Sequence, residues 1–306
     1  MGFPLAVGQP SFSGIYIPEI WASKMLVKFY AATGLTEIAN TEYEGEIKQR
    51  GDTVHISTLP DMQIKDYTVG MELETDKPTP TVVDLLINKG KYFQFASNPV
   101  MVKQASVEYI NKWAEDAARQ MKIAIERAVL ADVYADASAY NKGATAGKIS
   151  ADVNLGTAGS PFALTKDNVL DKLFEINQVL DEQDVPAENR WIYMPAWACT
   201  LMKGSDLKNA SITGDSESLI RKGVIGMVDK LMIIQSNLLA TGTDGGNKVT
   251  NAIAGHKSAL AFATQLTENQ VIDNPKDFGK LHRGLQVYGY KVVKPEAMVH
   301  FYIRKG

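Results

Sequence analysis

The sequence has little of what metal-dependent, disulfide-stapled or membrane proteins are built around. Its 306 residues include one cysteine, Cys199, which excludes an intrachain disulfide framework, a Cys-rich zinc site and a cluster-binding protein. Histidine is scarce too: His55, His256, His282 and His300 form no HExxH pattern and no spacing that sets two ligands on one helix face, so metal binding has no support. Charge of one sign is also missing. The chain has 32 Lys+Arg against 35 Asp+Glu, a net charge of -3, so no strongly basic surface drives nucleic-acid binding and any DNA contact must be local. No window approaches the roughly 18 consecutive apolar residues of a membrane-spanning helix. Met1 to Ser13 has neither the basic flank nor the apolar run of a secretory signal, and Ala6 stands where a myristoylation motif wants Ser or Thr. The expectation is a soluble chain, cytosolic when made.

Phosphate-binding and nucleophile motifs are absent as well. Gly90-Lys91, Gly147-Lys148 and Gly279-Lys280 are followed by Tyr92, Ile149 and Leu281, so no Gly-Lys supplies the hydroxyl that a P-loop sets on Mg²⁺. There is no GxGxxG, and Gly214-Asp215-Ser216-Glu217 lacks the closing glycine of a nucleophile elbow. Asp181-Glu182 and Glu115-Asp116 read as solvated helix faces, and Cys199 as a small buried residue. The expectation is no enzyme, no cofactor and no metal.

What the sequence does have is a change of periodicity along its length. The run Glu19 to Tyr30 carries Trp21, Met25 and Phe29 at helical spacing behind Pro18. From Glu42 to Ala96 the pattern alternates instead, with Val54 and Ile56, then Val69, Met71 and Leu73, then Val83, Leu85 and Ile87, then Phe93 and Phe95. Half-buried strands joined by Gly and Pro turns are expected, a hairpin-rich arm that needs another surface to lie on, such as a neighbouring subunit. Asn98 and Pro99 then open a helix expected over Val102 to Tyr134, about 50 Å long if straight, with Ile110, Trp113, Ala117, Met121, Ala124 and Ala128 as its apolar stripe.

Residues Asn141 to Ser160, rich in Gly, Ala, Ser and Asn, read as an exposed connector at a domain boundary. Beyond them the pattern is α+β. Thr165 is expected to cap a helix lined by Val169, Leu173, Ile176 and Leu180; Trp191 to Met194 reads as a buried strand, Pro195 opens a short helix, and Leu231 to Gln235 is a strand. Gly242 to Gly246, with too few acidic residues for a calcium loop, is a loop tip. Ala252 to Thr264 returns to the core, and Leu285 to Ile303 supplies terminal strands broken by Pro295.

The wording along this order is also informative: Pro18-Glu19-Ile20-Trp21, Glu42 with Gly45-Glu46-Ile47, Gly51-Asp52-Thr53-Val54-His55-Ile56, Val185-Pro186-Ala187-Glu188-Asn189-Arg190-Trp191-Ile192-Tyr193-Met194-Pro195, Gly226-Met227-Val228-Asp229-Lys230-Leu231, Ser236-Asn237-Leu238 and Val287-Tyr288-Gly289-Tyr290-Lys291-Val292-Val293-Lys294-Pro295-Glu296. Over nearly the whole chain it resembles the major capsid proteins of tailed bacteriophages, the Hong Kong ninety-seven fold. The resemblance implies an α+β chain with an N-terminal arm (1–40), an extended β-hairpin loop (41–95), a peripheral domain with a spine helix (96–150), an axial domain (151–280) and return strands of the peripheral domain (281–306). It implies pentamers and hexamers tiling an icosahedral shell around double-stranded DNA in the virion, assembled in the host cytoplasm around a scaffolding protein, with a portal protein at one vertex. Subunit contacts are expected at Trp21, Ile64, Tyr67, Val69, Met71 and Leu73, and at the loop tip Gly242, Asp244 and Gly245. Some such shells crosslink a loop lysine to a neighbour's asparagine, but Lys48, Lys65 and Lys77 match no motif, so no covalent chemistry is expected. An encapsulin-like compartment, distinguished by binding cargo peptides, is the alternative; an α+β enzyme with a dispersed site is the third reading.

Overall fold

The structure is a computed structural model that describes residues 34–41, 53–58, 60, 62, 64–72, 75, 77, 79–97, 108–205, 226–275 and 279–306. The elements in chain order are α1 (Leu35–Ile38), β1 (Thr53–Thr58), β2 (Thr81–Leu86), β3 (Lys89–Ser97), α2 (Glu108–Asp132), β4 (Phe162–Leu164), α3 (Val169–Asp181), β5 (Arg190–Met194), α4 (Ala196–Gly204), β6 (Met227–Val228), β7 (Leu231–Gln235), β8 (Thr241–Asp244), β9 (Asn247–His256), β10 (Leu260–Asp273), β11 (Lys280–Val292) and β12 (Met298–Lys305). The helix expected around Trp21, and Asn98 with Pro99, lie outside the described residues.

β1 and β2 form an antiparallel ribbon, from Thr53 opposite Leu86 to Thr58 opposite Thr81. Directly opposed residues share a face. Val54 with Leu85 and Ile56 with Val83 therefore make one apolar side, from which Val54, Ile56 and Leu85 pack with Ala261, Ala263, Val287 and Val293 of the chain's own β10–β11 region. The small size of the covered residues is what allows this crossing. Ala263 pairs with Gly289 across β10 and β11, and a Cβ on Gly289 would fall 2.3 Å from the Leu86 carbonyl oxygen. The expectation that the whole arm needs a foreign surface is thereby narrowed, because the base of the ribbon is covered by its own chain.

β3 leaves the ribbon to become an edge of a three-stranded antiparallel sheet, β10-β11-β3, pairing from Ser97 opposite Lys280 to Lys89 opposite Tyr288. Phe93 and Phe95 are on the face where Trp113 of α2 meets Phe95 edge-on at 6.0 Å between ring centroids.

α2 spans 25 residues, about 37 Å at 1.5 Å per residue, and runs into a 3-10 turn at Val133–Asp136. Its buried face is not the one expected. Trp113 is 43% exposed and Ala117, Met121, Ala124 and Ala128 are only half-buried, whereas Ile123, Ile125, Glu126, Val129, Leu130 and Val133 are buried. The larger aliphatic residues win the core because they remove more apolar area from water than alanines do, and Glu126 is carried inside with them. The C-terminal end of α2 is pinned to the sheet: Asp132 accepts from Lys89 at 3.0 Å and from the Tyr290 hydroxyl, and the Lys89 ammonium lies over the Tyr290 ring.

The second sheet has the order β4-β12-β9-β5-β7-β6, with β8 also paired to β9. β5 runs parallel to β7 and antiparallel to β9, and it is buried from end to end, which explains its unbroken apolar run. Val169, Leu173, Ile176 and Leu180 are buried on α3 as the spacing predicts. The cap is different: Asn168, not Thr165, occupies the N-cap position, and its side chain accepts from the Thr165 N–H and donates to the Ala163 carbonyl.

The stretch 141–160 is not an exposed connector. Asn141, Ala146, Val153 and Leu155 are buried, and Asn141 donates to the Glu296 and Met298 carbonyls. Its small and polar residues serve close packing. Gly156 has φ +82° with the Tyr302 carbonyl oxygen 2.2 Å from where a Cβ would stand.

Gly289→Ala is expected to lower unfolding stability by about 1–3 kcal/mol, the usual cost of overpacking. Gly90→Ala, on β3 where a Cβ would stand 3.9 Å from the Gln286 carbonyl oxygen, an ordinary contact, should be nearly neutral. Denaturant midpoints of the two variants side by side test the crossing; equal midpoints would contradict it.

Candidate assembly surface

The ribbon presents a surface that its own chain leaves uncovered. Between β1 and β2 the described residues 64–68 have no strand pairing and 69–70 form a turn closed by the Met71 N–H donating to the Thr68 carbonyl. The half-buried strand expected over Val69 and Met71 is therefore not formed: alternation alone cannot supply a partner strand. Ile64 is 94% and Val69 91% exposed, Tyr67 and Met62 are also exposed, and Met71 is exposed at 39%. Trp21 and Leu73, expected with them, lie outside the described residues.

The exposed apolar surface continues onto the ribbon's outer side through Val82 and Leu86, flanking Asp84, which pairs with His55 at 2.7 Å across the strands. Sequence reasoning passed over Val82 and Leu86. The signal was available, since Thr81-Val82-Val83-Asp84-Leu85-Leu86-Ile87 is apolar in both phases of a period of two, and only one phase can face its own core. Tyr92 and Leu285, opposed across β3 and β11, form a further exposed pair.

The other expected contact, at Gly242, Asp244 and Gly245, is the tip of the β8–β9 hairpin. Gly245 (φ 53°) and Gly246 (φ 80°) are the two positive-φ residues of a tight two-residue turn. Gly242 and Gly245 are exposed, but the Asp244 carboxylate is engaged within its own chain, accepting from the Gly159 N–H at 2.6 Å and the Tyr302 hydroxyl at 3.1 Å. The tip is thus braced rather than free-standing.

Behind these surfaces the titratable groups are used structurally. Arg190, at 0% side-chain exposure, donates to the Pro186 and Val185 carbonyls, to Asn177 Oδ1 at 3.2 Å and to Asp181 at 2.6 Å. Burial pushes the Asp181 carboxyl up, but its bonds from Arg190 and Lys230 outweigh this and hold it low. Glu182 behaves similarly. Slight burial raises it, yet bonds from the Ile149 and Ser150 N–H groups and Gln178 take its pKa down to about 2. Burial pushes the His300 imidazole down to about 4, where it bonds Asn251, and pushes the Cys199 thiol up to about 11. Among the described residues no group of three or more His, Cys, Asp or Glu could hold a metal ion, and no helix is long and apolar enough to cross a membrane.

No protein-family model matches the chain, and no curated protein does. Solved structures do. A chain from Mycobacterium phage Che8 is 27% identical with a TM-score of 0.75, the match covering 95% of this chain and 98% of that one. The capsid structure of cyanophage P-SCSP1u matches at 12% identity and a TM-score of 0.74, over 95% and 94% of the two chains. The mature capsid of bacteriophage PhiM1 matches at 12% and 0.68, over 92% and 90%. An α+β chain with a projecting ribbon, a long helix beside a three-stranded sheet, and a separate mixed sheet is the fold of the phage capsid proteins, the Hong Kong ninety-seven fold. This chain has that fold: more than a quarter of its residues are identical to those of a phage chain over nearly its full length, and its structural neighbours include phage capsids, which supports its reading as a capsid shell protein.

Because the Glu182 carboxyl titrates far below its ordinary value, the stability it supplies is complete above pH about 4.5 and is lost as the pH falls toward about 2. Glu182→Gln should therefore unfold at a lower temperature than the parent at pH 6 and at the same temperature near pH 2, followed by circular dichroism. A difference that persists unchanged to pH 2 would contradict the assignment.

Proposed function

We propose that the chain self-assembles as pentamers and hexamers into a closed icosahedral shell around the phage double-stranded DNA. The shell forms in the host cytoplasm around a scaffolding protein, with a portal protein at one vertex. In this reading residues 1–40 are the arm, 41–95 the extended loop, 96–150 with 281–306 the peripheral domain, and 151–280 the axial domain. The observation that carries it is the exposed segment around Ile64, Tyr67 and Val69, held at the end of a ribbon whose base is fixed to its own subunit. That arrangement offers an apolar surface outward to a neighbouring copy. Trp21, Met71 and Leu73 join this contact, and Gly242, Asp244 and Gly245 bring the hairpin tip toward a symmetry axis.

The magnitudes suit a shell. Fully burying an Ile, Val or Met side chain contributes about 1.5–3 kcal/mol, so one such contact is worth several kcal/mol before ordering costs and is individually reversible. Repeated around a closed lattice, weak contacts add as avidity. A net charge of -3 keeps the subunit from gripping DNA over its whole surface, leaving contacts that are local and non-specific.

Ile64→Asp combined with Val69→Asp is expected to leave the thermal midpoint of the unassembled subunit unchanged, because neither side chain is buried in it, while abolishing megadalton particles in sedimentation velocity and shells in negative-stain micrographs. Normal shells from the double variant would remove the loop from the interface. A parent chain that stays monomeric or dimeric even with its scaffolding protein would sink the shell reading itself.

A further inference from the structure

Glu126 is a buried acid that the shell reading does not use. It is 1% exposed on α2, and its carboxylate joins three segments far apart in sequence. Oε2 accepts the Gly34 N–H at 2.9 Å and the Leu35 N–H at 3.3 Å, while Oε1 accepts the Tyr193 hydroxyl of β5 at 3.1 Å. Gly34 is threaded through the resulting slot, where a Cβ would stand 2.6 Å from the Tyr193 oxygen.

The charged groups facing the carboxylate do not neutralise it closely. Glu37 on α1 is a like charge; Lys122, one turn earlier on α2, lines the adjoining cavity but makes no ion pair with it among the described residues; β5 offers only Tyr193; and Phe262 and Gln286 of β10 and β11 are uncharged. The half-open cavity, about 350 Å³ in volume, lies between Glu126, Leu35, Thr36 and Lys122 and the sheet. A small outward movement of residues 34–36 would let water reach the carboxylate.

We propose that Glu126 makes the attachment of residues 34–35 a proton-sensitive joint, locked when the acid is neutral and loosened when it is charged. A buried carboxylate balanced, among the described residues, by amide and hydroxyl donors gains solvation when the joint opens, whereas a neutral acid does not. Burial outweighs the three donors and raises the proton affinity of the closed state. The open state, with the carboxyl in water, binds the proton less tightly. Linkage then fixes the sign: the closed joint is favoured as pH falls and opens more readily as pH rises.

The test is amide hydrogen exchange of the full-length chain, read as protection factors for a peptide covering residues 34–41 at pH 5.5 and pH 8. Protection in the parent should be several-fold higher at pH 5.5 than at pH 8. Glu126→Gln keeps an acceptor for the Gly34 and Leu35 amides and removes the charge, and should hold the high protection at both pH values. Should that variant not fold, Tyr193→Phe serves instead. It removes a donor that favours the charged form, so the pH dependence should steepen. Equal protection at the two pH values in the parent, or a pH dependence that survives Glu126→Gln or is not steepened by Tyr193→Phe, would overturn the joint.

Discussion

The close crossing of the β1–β2 ribbon over β10 and β11 is the constraint on which the outward surface depends. Ala261, Ala263 and Gly289 keep that patch of sheet low enough for the backbone at Leu86 to lie against it, and Ile56, Leu85 and Ile87 fill the space. An isolated two-stranded ribbon is at best marginally stable in water. Here its base borrows a core from a sheet built by residues some 200 positions away in the chain, and the segment carrying Ile64 and Val69 can project without being covered. Rigidity at one end and exposure at the other follow from the same packing.

Around that crossing, the parts of the chain are tied by polar groups placed where elements meet. Asp132, Lys89 and Tyr290 join the end of α2 to two strands; Arg190 ties β5 to α3 and the turn before it; Asn141 secures the 141–160 stretch to the segment entering β12; and Glu126 receives the chain at Gly34. Such groups are costly to leave unpaired and directional when paired, so they fix how helices and sheets sit against each other more narrowly than apolar contact does. Glu126 differs from the others in facing no paired cation among the described residues, which leaves it sensitive to its protonation state.

Much of this was legible from residues alone. The alternation at Val54, Ile56, Val83 and Leu85 marked the ribbon, the spacing of Val169, Leu173, Ile176 and Leu180 marked α3, and the unbroken apolar run of Trp191 to Met194 marked a strand buried on both faces. These signals survive because each reflects a local period imposed by one buried face. Readings failed where the decision was not local. On α2 the alanine-rich stripe and the aliphatic one are both at helical spacing, and which turned inward depended on the volume available beneath them. At Val69 and Met71 alternation suggested a strand, but a strand exists only when another edge is at hand.

The sequence by itself determined the ribbon, the long helix, α3 and the buried strand β5 in their order, the lack of a recognisable catalytic or metal-binding pattern, and the resemblance to capsid proteins, because those rest on neighbouring residues and their periodicity. Only the tertiary structure decided which apolar residues are left outside, that the 141–160 stretch is packed rather than free, and that an acid on α2 is enclosed by the chain at Gly34 and the Tyr193 hydroxyl. Each of these depends on distances between residues tens to hundreds of positions apart, set by side-chain volume and by where backbone donors converge, and neither quantity is written in a local pattern.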